Sequence, residues 1–415
     1  MSETARVSVI IPVWNLWKMT AACLQSLAGH TPAGLVEVLA VDNGSDDATL
    51  TELEPLGRAL WGGAFRRVRL PENLGFAKAC NAGARVATAD LLFFLNNDTT
   101  LTPGWLDPLI RLFDDPALGA AGPLLLYPDG TVQHCGIYLT PFLRVGHLYE
   151  HFPGDHPVPR KARPLQAITG AAMMLRRTVF QDCGGFCEEY INGFEDLDLC
   201  CSLRHKGLKV AVAGQSVVYH HASQTPGRFA RDTQNGGLLL RRWGQSLRPD
   251  LHYLAALDKY RMCIGPSLSC WTALSESREQ ELNAACAGRE FDEAACRALL
   301  EQEPLWLGGR LLLMQRLEEQ GQRTAALAAG MAALRFFPQV AIQSRVLRLA
   351  RKEGWHDVLP SLIRNVQTEA EDNADRYRPQ VREARRRAYA GGDMALADLL
   401  NAWLARYGAG KAQGL

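Results

Sequence analysis

Long apolar runs are the first thing this 415-residue sequence lacks. Stretches such as Leu91 to Leu95 and Ala171 to Leu175 fall far short of the roughly 18 residues a membrane-spanning helix needs, so no transmembrane segment is expected. An excess of one charge is lacking too: 45 Lys and Arg stand against 44 Asp and Glu, a net +1. That balance excludes a whole-chain field drawing the protein to nucleic acid or to an anionic bilayer, and any bound phosphate must be held by a local site. The opening residues, MSETARVSVIIPVWN, have neither the basic start nor the apolar centre of a signal peptide, which predicts a cytoplasmic protein. The eleven cysteines do not show the two-residue spacing of structural zinc sites. Cys183 and Cys187 are four apart, Cys200 and Cys201 are adjacent, and the others are scattered singly. Reduced, mostly buried thiols packing as small hydrophobes are expected.

What is present is a globular composition, 47% hydrophobic and 21% charged, with length enough for two domains at roughly 150 residues each. Residues 1–245 alternate β-rich apolar runs with helical patterns. VSVIIPV, VEVLAVD, FRRVRL and DLLFFLNND are separated by helix-length segments, which is the pattern of βαβ units and a mostly parallel sheet. Ligands of such sheets sit at the carboxyl ends of the strands. Polar clusters fall at four of those ends in succession: Trp14 and Asn15, Asp42 to Asp47, Pro71 to Gly75, and Asn96 to Thr99. One such cluster would be turn chemistry; four together point to one site.

From about Asp250 the texture turns to Leu, Ala, Arg and Glu with helical periodicity. Gly288, Gly321 and Gly354 are each 33 residues apart, Pro304 and Pro338 are 34 apart, and a weaker copy starts at Gly392. This spacing resembles the tetratricopeptide repeat, with Ala326, Ala333 and Pro338 at its small-residue and terminating positions, although most aromatic positions are replaced. An all-α domain of helical hairpins is therefore expected over 281–415, reached through a helical connector over 246–280. Each hairpin leaves one face bare and must stack on its neighbour, which makes a concave surface suited to a partner.

Taken in order, VSVIIPVWN, VDNGSDDAT, ENLGFAKACNAGARVATADLLFFLNNDT, ITGAAMMLRR, GFEDLDLCCSLRHKG and VVYHH resemble the motifs of the family 2 glycosyltransferases of the GT-A fold, near the rhamnosyltransferase-like branch. The resemblance implies an α/β nucleotide-diphospho-sugar transferase domain, its mostly parallel sheet flanked by helices. It implies transfer of a sugar, usually with inversion and with Mn²⁺ or Mg²⁺, from a nucleotide diphosphate sugar to a protein, peptide or glycan acceptor.

Residue by residue, the resemblance makes Asp42 the reader of a pyrimidine base, favouring UDP or dTDP, with Pro12 and Trp14 as the walls. Asp42 before Asn-Gly is also a strong turn signal. Asn73 and Gly75 let the backbone approach the nucleotide, and Lys78 offers a cation, although a solvated helix position suits it as well. The family's Asp-x-Asp signature corresponds here to Asn96, Asn97 and Asp98, a departure that leaves one carboxylate. A cation at Asp98 would lean on the diphosphate and on His220 or His221, with His220 favoured because it follows the aromatic Tyr219. Asn96 would then hydrogen-bond ribose or phosphate. Glu195 and Asp196 match the family's Glu-Asp pair, with Asp196 as the general base and Glu195 binding acceptor or orienting the site. A run of Glu195, Asp196 and Asp198 is also what the first turn of a helix attracts. Gly170 suits close approach to the sugar, and Arg228 is placed over the diphosphate.

Other classes are disfavoured by what does not follow Val13: no glycine-rich basic loop for a triphosphate and no G-x-G-x-x-G for a dinucleotide. A catalytically weak scaffold is the alternative, motivated by Asn96. The basic run Arg376, Arg378, Arg382, Arg385, Arg386 and Arg387 is interleaved with Glu and Asp and reads as a solvated helix face.

Overall fold

The computed structural model describes residues 5–221, 231–287, 290–369 and 371–408. The chain divides into two compact units, Met1–Tyr138 with Gly146–Leu247, and Leu139–Val145 with Arg248–Leu415. In the first unit the order is β1 (Val7–Val13), α1 (Trp17–His30), β2 (Val36–Asn43), α2 (Thr49–Trp61), β3 (Phe65–Leu70), α3 (Phe76–Val86), β4 (Leu91–Leu95), β5 (Thr99–Leu101) and α4 (Leu106–Leu112). There follow β6 (Leu118–Leu126), β7 (Val132–His134), β8 (Ile137–Leu139), β9 (Val145–His147), β10 (Ala172–Arg176), α5 (Arg177–Asp182), α6 (Glu195–His205), β11 (Lys209–His220) and α7 (Asp232–Trp243).

Nine of these strands form one sheet in the order β3-β2-β1-β4-β10-β6-β11-β5, with β7 paired to β6. The β3, β2, β1 and β4 neighbours are parallel, β10 runs antiparallel between β4 and β6, and β6 is parallel to β11. The carboxyl ends of β1, β2, β4, β6 and β11 therefore all emerge on one side. β4 reads as an unbroken apolar run because helices cover both of its faces. Its Phe93 lies against Trp105 with ring centroids 5.0 Å apart, and Phe94 meets both Phe180 and Phe186 at 4.9 Å. Both phenylalanines are wholly buried, so truncating either to Ala would cost about 3–5 kcal/mol. On the other side α3 carries Ala77, Ala79, Ala82, Gly83 and Ala84, which lets it lie close to the sheet. A Cβ on Gly83 would stand 2.5 Å from Ile10 Cγ2, closer than packing allows.

The second unit holds α8 (Leu251–Leu257), β12 (Tyr260–Ile264), β13 (Cys270–Leu274), α9 (Glu276–Cys286), α10 (Glu293–Gln302), α11 (Leu307–Glu319) and α12 (Arg323–Leu334). It continues with α13 (Val340–Lys352), α14 (Leu359–Thr368), α15 (Arg378–Ala390) and α16 (Met394–Gly408). The segment expected as a helical connector contains an antiparallel hairpin, β12 on β13. It is pinned by Trp403 Nε1 donating to Gly265 O at 2.8 Å and by Glu369, which accepts from Ser267 and Ser269. Successive helices from α11 to α14 pack on one another, as do α15 and α16. The spaced glycines mark the ends of alternate helices: Gly321, Gly354 and Gly392 follow α11, α13 and α15 with φ of 76°, 73° and 72°. That left-handed conformation is where a helix C-terminus selects glycine; Gly288 lies outside the described residues. In the basic run Arg378 pairs with Asp375 and Arg386 with Glu383, and Arg385 donates to the Asn401 amide oxygen. All eleven cysteines are free.

Candidate active site

The strand ends of the first unit open on a cavity of about 410 Å³. It gathers most of the residues singled out in the sequence: Pro12 and Trp14 after β1, Asn73 before α3, Asn96, Asn97 and Asp98 after β4, Gly170, Glu195 and Asp196 by α6, and His220 at the end of β11. Asp42, Gly75 and Lys78 are not in its lining. Lys78 is exposed on α3, and Arg228 lies outside the described residues.

Asp98 and His220 meet because β5, which follows Asp98, pairs with β11, placing Thr99 opposite His220. His220 Nε2 stands 3.1 Å from Asp98 Oδ1, and both side chains are about a tenth exposed. Apart from that ring, no donor among the described residues meets the buried Asp98 Oδ1. Burial raises the Asp98 pKa, but the adjoining His220 ring and a backbone N–H outweigh it and hold the carboxyl below its usual range. On the ring's other side Nδ1 is 2.5 Å from Gln133 Oε1, while Asn96 Nδ2 approaches Nε2 at 3.3 Å. His221 turns elsewhere, to Thr100 Oγ1 at 3.4 Å. Asn97 is tied to α1 through Thr20 Oγ1 at 2.8 Å. Among the described residues no group of three or more His, Cys, Asp or Glu side chains is placed to hold a metal ion.

The acidic run at α6 separates into three fates. Asp198 is buried and binds Tyr190, Arg242 and Trp243, which fastens α6 to α7. Glu195 accepts the Gly193 N–H at 2.6 Å. Asp196 faces the cavity, with Oδ2 accepting from Gly170 N and Oδ1 from Leu197 N, each at 2.8 Å. A Cβ on Gly170 would stand 3.3 Å from Asp196 Cβ, so the small residue is what admits this contact. The turn before α6 is strained, since Asn192 and Phe194 both have positive φ, 53° and 73°. Buried Asn235 of α7 holds it in shape, donating to Ile191 O and Gly193 O at 3.0 Å each.

Asp42 is wholly buried, and its oxygens are taken. Arg67 and Arg69 of β3 pair with Oδ2, and Ser45 N donates to Oδ1 at 2.9 Å. Burial opposes its ionisation, but Arg67 and Ser45 outweigh it and lower its pKa. Asn43, the next residue, lines the cavity and clasps Asn73 Oδ1 and Gly75 O. Gln133, His147, Glu150, Tyr127 and Thr169 complete the far wall, and the sequence reading named none of them. His134 behind them is buried, bonded to His147 Nδ1 at 2.8 Å, and held well below the usual histidine range by that burial.

Residues 8–184 match the family described as Glycosyl transferase family 2. The chain is 31% identical over 258 residues to the uncharacterized protein y4gI of Sinorhizobium fredii (strain NBRC 101917 / NGR234), covering 59% of this chain and 28% of that protein. It is 32% identical over 233 residues to the O-antigen biosynthesis protein RfbC of Myxococcus xanthus, covering 53% of this chain and 18% of that one. A third relative is the N-acetylglucosaminyl-diphospho-decaprenol L-rhamnosyltransferase of Mycobacterium tuberculosis (strain ATCC 25618 / H37Rv), 29% identical over 229 residues, covering 49% and 71% respectively. The chain thus spans less than a third of the length of the first two relatives. No helix among the described residues is long and apolar enough to cross a membrane.

Proposed function

We propose that the protein is a metal-assisted glycosyltransferase that moves a sugar, with inversion, from a UDP- or dTDP-sugar to a protein or glycan acceptor. The observation that carries this reading is one cavity lined both by Asp196 and by the Asp98–His220 pair, drawn from three separate parts of the chain. A one-step displacement needs a base facing the acceptor hydroxyl. Asp196 is held by one backbone N–H on each oxygen, and a carboxylate so bound keeps further lone pairs for the incoming hydroxyl proton. Pro12 and Trp14 wall the nucleotide, beside the ladder position where Val13 pairs with Asp42. Asn73 and Asn96 supply neutral groups around ribose and phosphate, and the helices after residue 281 hold the acceptor.

Asp98 Oδ1 and His220 Nε2 suit a divalent cation, because a buried carboxylate oxygen and a ring nitrogen that a metal can take face each other at 3.1 Å. With only these two protein donors, the diphosphate must complete the shell. When bound, Mn²⁺ or Mg²⁺ neutralises charge developing on the leaving diphosphate.

Thermal-shift screening of UDP-, dTDP- and GDP-sugars with Mn²⁺ tests the donor, and stabilisation by a pyrimidine nucleotide sugar is expected. Asp196→Asn should keep that stabilisation and the donor KM while kcat for transfer falls about 10²- to 10⁴-fold. Absence of any nucleotide-sugar shift, or an unchanged kcat, would sink the reading.

A further inference from the structure

Gln133 sits behind His220, on the side away from Asp98. It is buried, lies on β7, and was not singled out by any sequence motif. Its amide grips the same histidine twice. Nε2 is 3.1 Å from His220 O, and Oε1 is 2.5 Å from His220 Nδ1. A backbone carbonyl can only accept, so the amide nitrogen must face it, and this fixes the amide orientation without reference to hydrogen positions. Oε1 therefore faces the ring, and an amide oxygen can only accept. Nδ1 must carry the proton.

We propose that Gln133 is a positioning residue that keeps a proton on His220 Nδ1, so that Nε2, the nitrogen facing Asp98, is the one left to take a cation. This rests on the reading of Asp98 and His220 as cation ligands. Its physical content is that the hydrogen bond made by one ring nitrogen decides what the other offers, and such supporting partners typically change metal affinity by about 10- to 100-fold. Gln133 also sets the ring's angle, since the bond to His220 O ties the amide to the backbone that carries the ring.

The test uses the full chain, free of metal. Long-range ¹⁵N–¹H spectra of the imidazoles, with His220 assigned by its loss in His220→Gln, report which nitrogen is protonated. Wild type should show the Nδ1–H form. Gln133→Leu should shift it toward Nε2–H and weaken Mn²⁺ binding, read from paramagnetic broadening of the His220 signals, by about 10- to 100-fold. Gln133→Glu keeps an acceptor at Nδ1, should retain the Nδ1–H form, and separates loss of the acceptor from general damage to the fold. An Nε2–H ring in wild type, or an unchanged tautomer in Gln133→Leu, overturns the proposal and leaves the cation reading standing. A Nδ1–H ring whose signals Mn²⁺ does not broaden in wild type overturns the cation reading, and the ligand-positioning role falls with it.

Discussion

Asp42 and Asp98 occupy equivalent places, each at the carboxyl end of a parallel strand, each buried, each in a motif that promised contact with the donor. Their surroundings differ in one respect. Asp42 has two arginines on one oxygen and a backbone N–H on the other, whereas Asp98 Oδ1 faces the His220 ring nitrogen at 3.1 Å. Arginines hold a carboxylate for the fold; a histidine nitrogen is a neighbour that a divalent cation can also take. On the proposed function, the contrast gives stability to the end of β2 and chemistry to the end of β4.

The largest expected effect follows from Asp98. Asp98→Asn keeps the shape and removes the charge, so transfer in the presence of Mn²⁺ should fall by about 10³-fold, the scale on which electrostatic stabilisation of a leaving group acts. The midpoint of thermal unfolding should fall less than for Asp42→Asn, because one histidine ring, not two arginines, steadies the Asp98 charge. Activity within a factor of about three of wild type, at a threefold error well below the expected scale, would erase the distinction between the two aspartates.

Asp42→Asn should show the opposite profile. The loss is expected at about 2 kcal/mol of stability, below the 3–5 kcal/mol of a fully buried pair because Arg69 is 42% exposed. Its pH dependence carries a definite sign. The folded pKa of Asp42 is depressed below 3.8, so its stabilisation is complete above that value and is lost as pH falls through the folded pKa. Wild type and Asp42→Asn should therefore differ at neutral pH and converge in acid, as urea unfolding at several pH values would show. A variant that stayed as stable as wild type at pH 7 but lost nucleotide binding would return Asp42 to the role of base reader.

How much of this was legible in the sequence depends on the separation of the partners. The strand ends and the cavity they share could be read from VSVIIPV, VEVLAVD and DLLFFLNND, because periodicity and polar punctuation are local. The neighbours of Asp42 could have been found as well. Arg67 and Arg69 are two apart in FRRVRL and so share a face of β3, and the parallel register sets Arg69 opposite Asp42. Gln133 could not, since nothing local brings β7 to the end of β11. The hairpin at Tyr260–Ile264 and Cys270–Leu274 was hidden for another reason: helical composition on both sides outweighed two short alternating runs joined by Gly265-Pro266. The run of three acidic residues at α6 was legible as a set but not as individuals, because Asp198 differs from Asp196 only in what α7 brings to it.

The smallest of the expected effects sharpens the contrast at its most exposed point, the residue where the sequence departs from the family signature. Asn96 stands 3.3 Å from His220 Nε2 through its amide nitrogen. Asn96→Asp would place a second carboxylate beside Asp98, raising the negative charge at a position where oxygen ligands and their charge count set divalent-cation affinity. The Mn²⁺ concentration for half-maximal activity should drop by about 3- to 10-fold, while the metal-free protein loses a little stability to repulsion between the two carboxylates. The same substitution logic at the end of β2 predicts nothing comparable, since Asn43 is already engaged with Asn73 and Gly75. If Asn96→Asp left the Mn²⁺ requirement unchanged, the pairing of Asp98 with His220 would have to answer to some group other than a cation, and the chemistry proposed for the end of β4 would lose its basis.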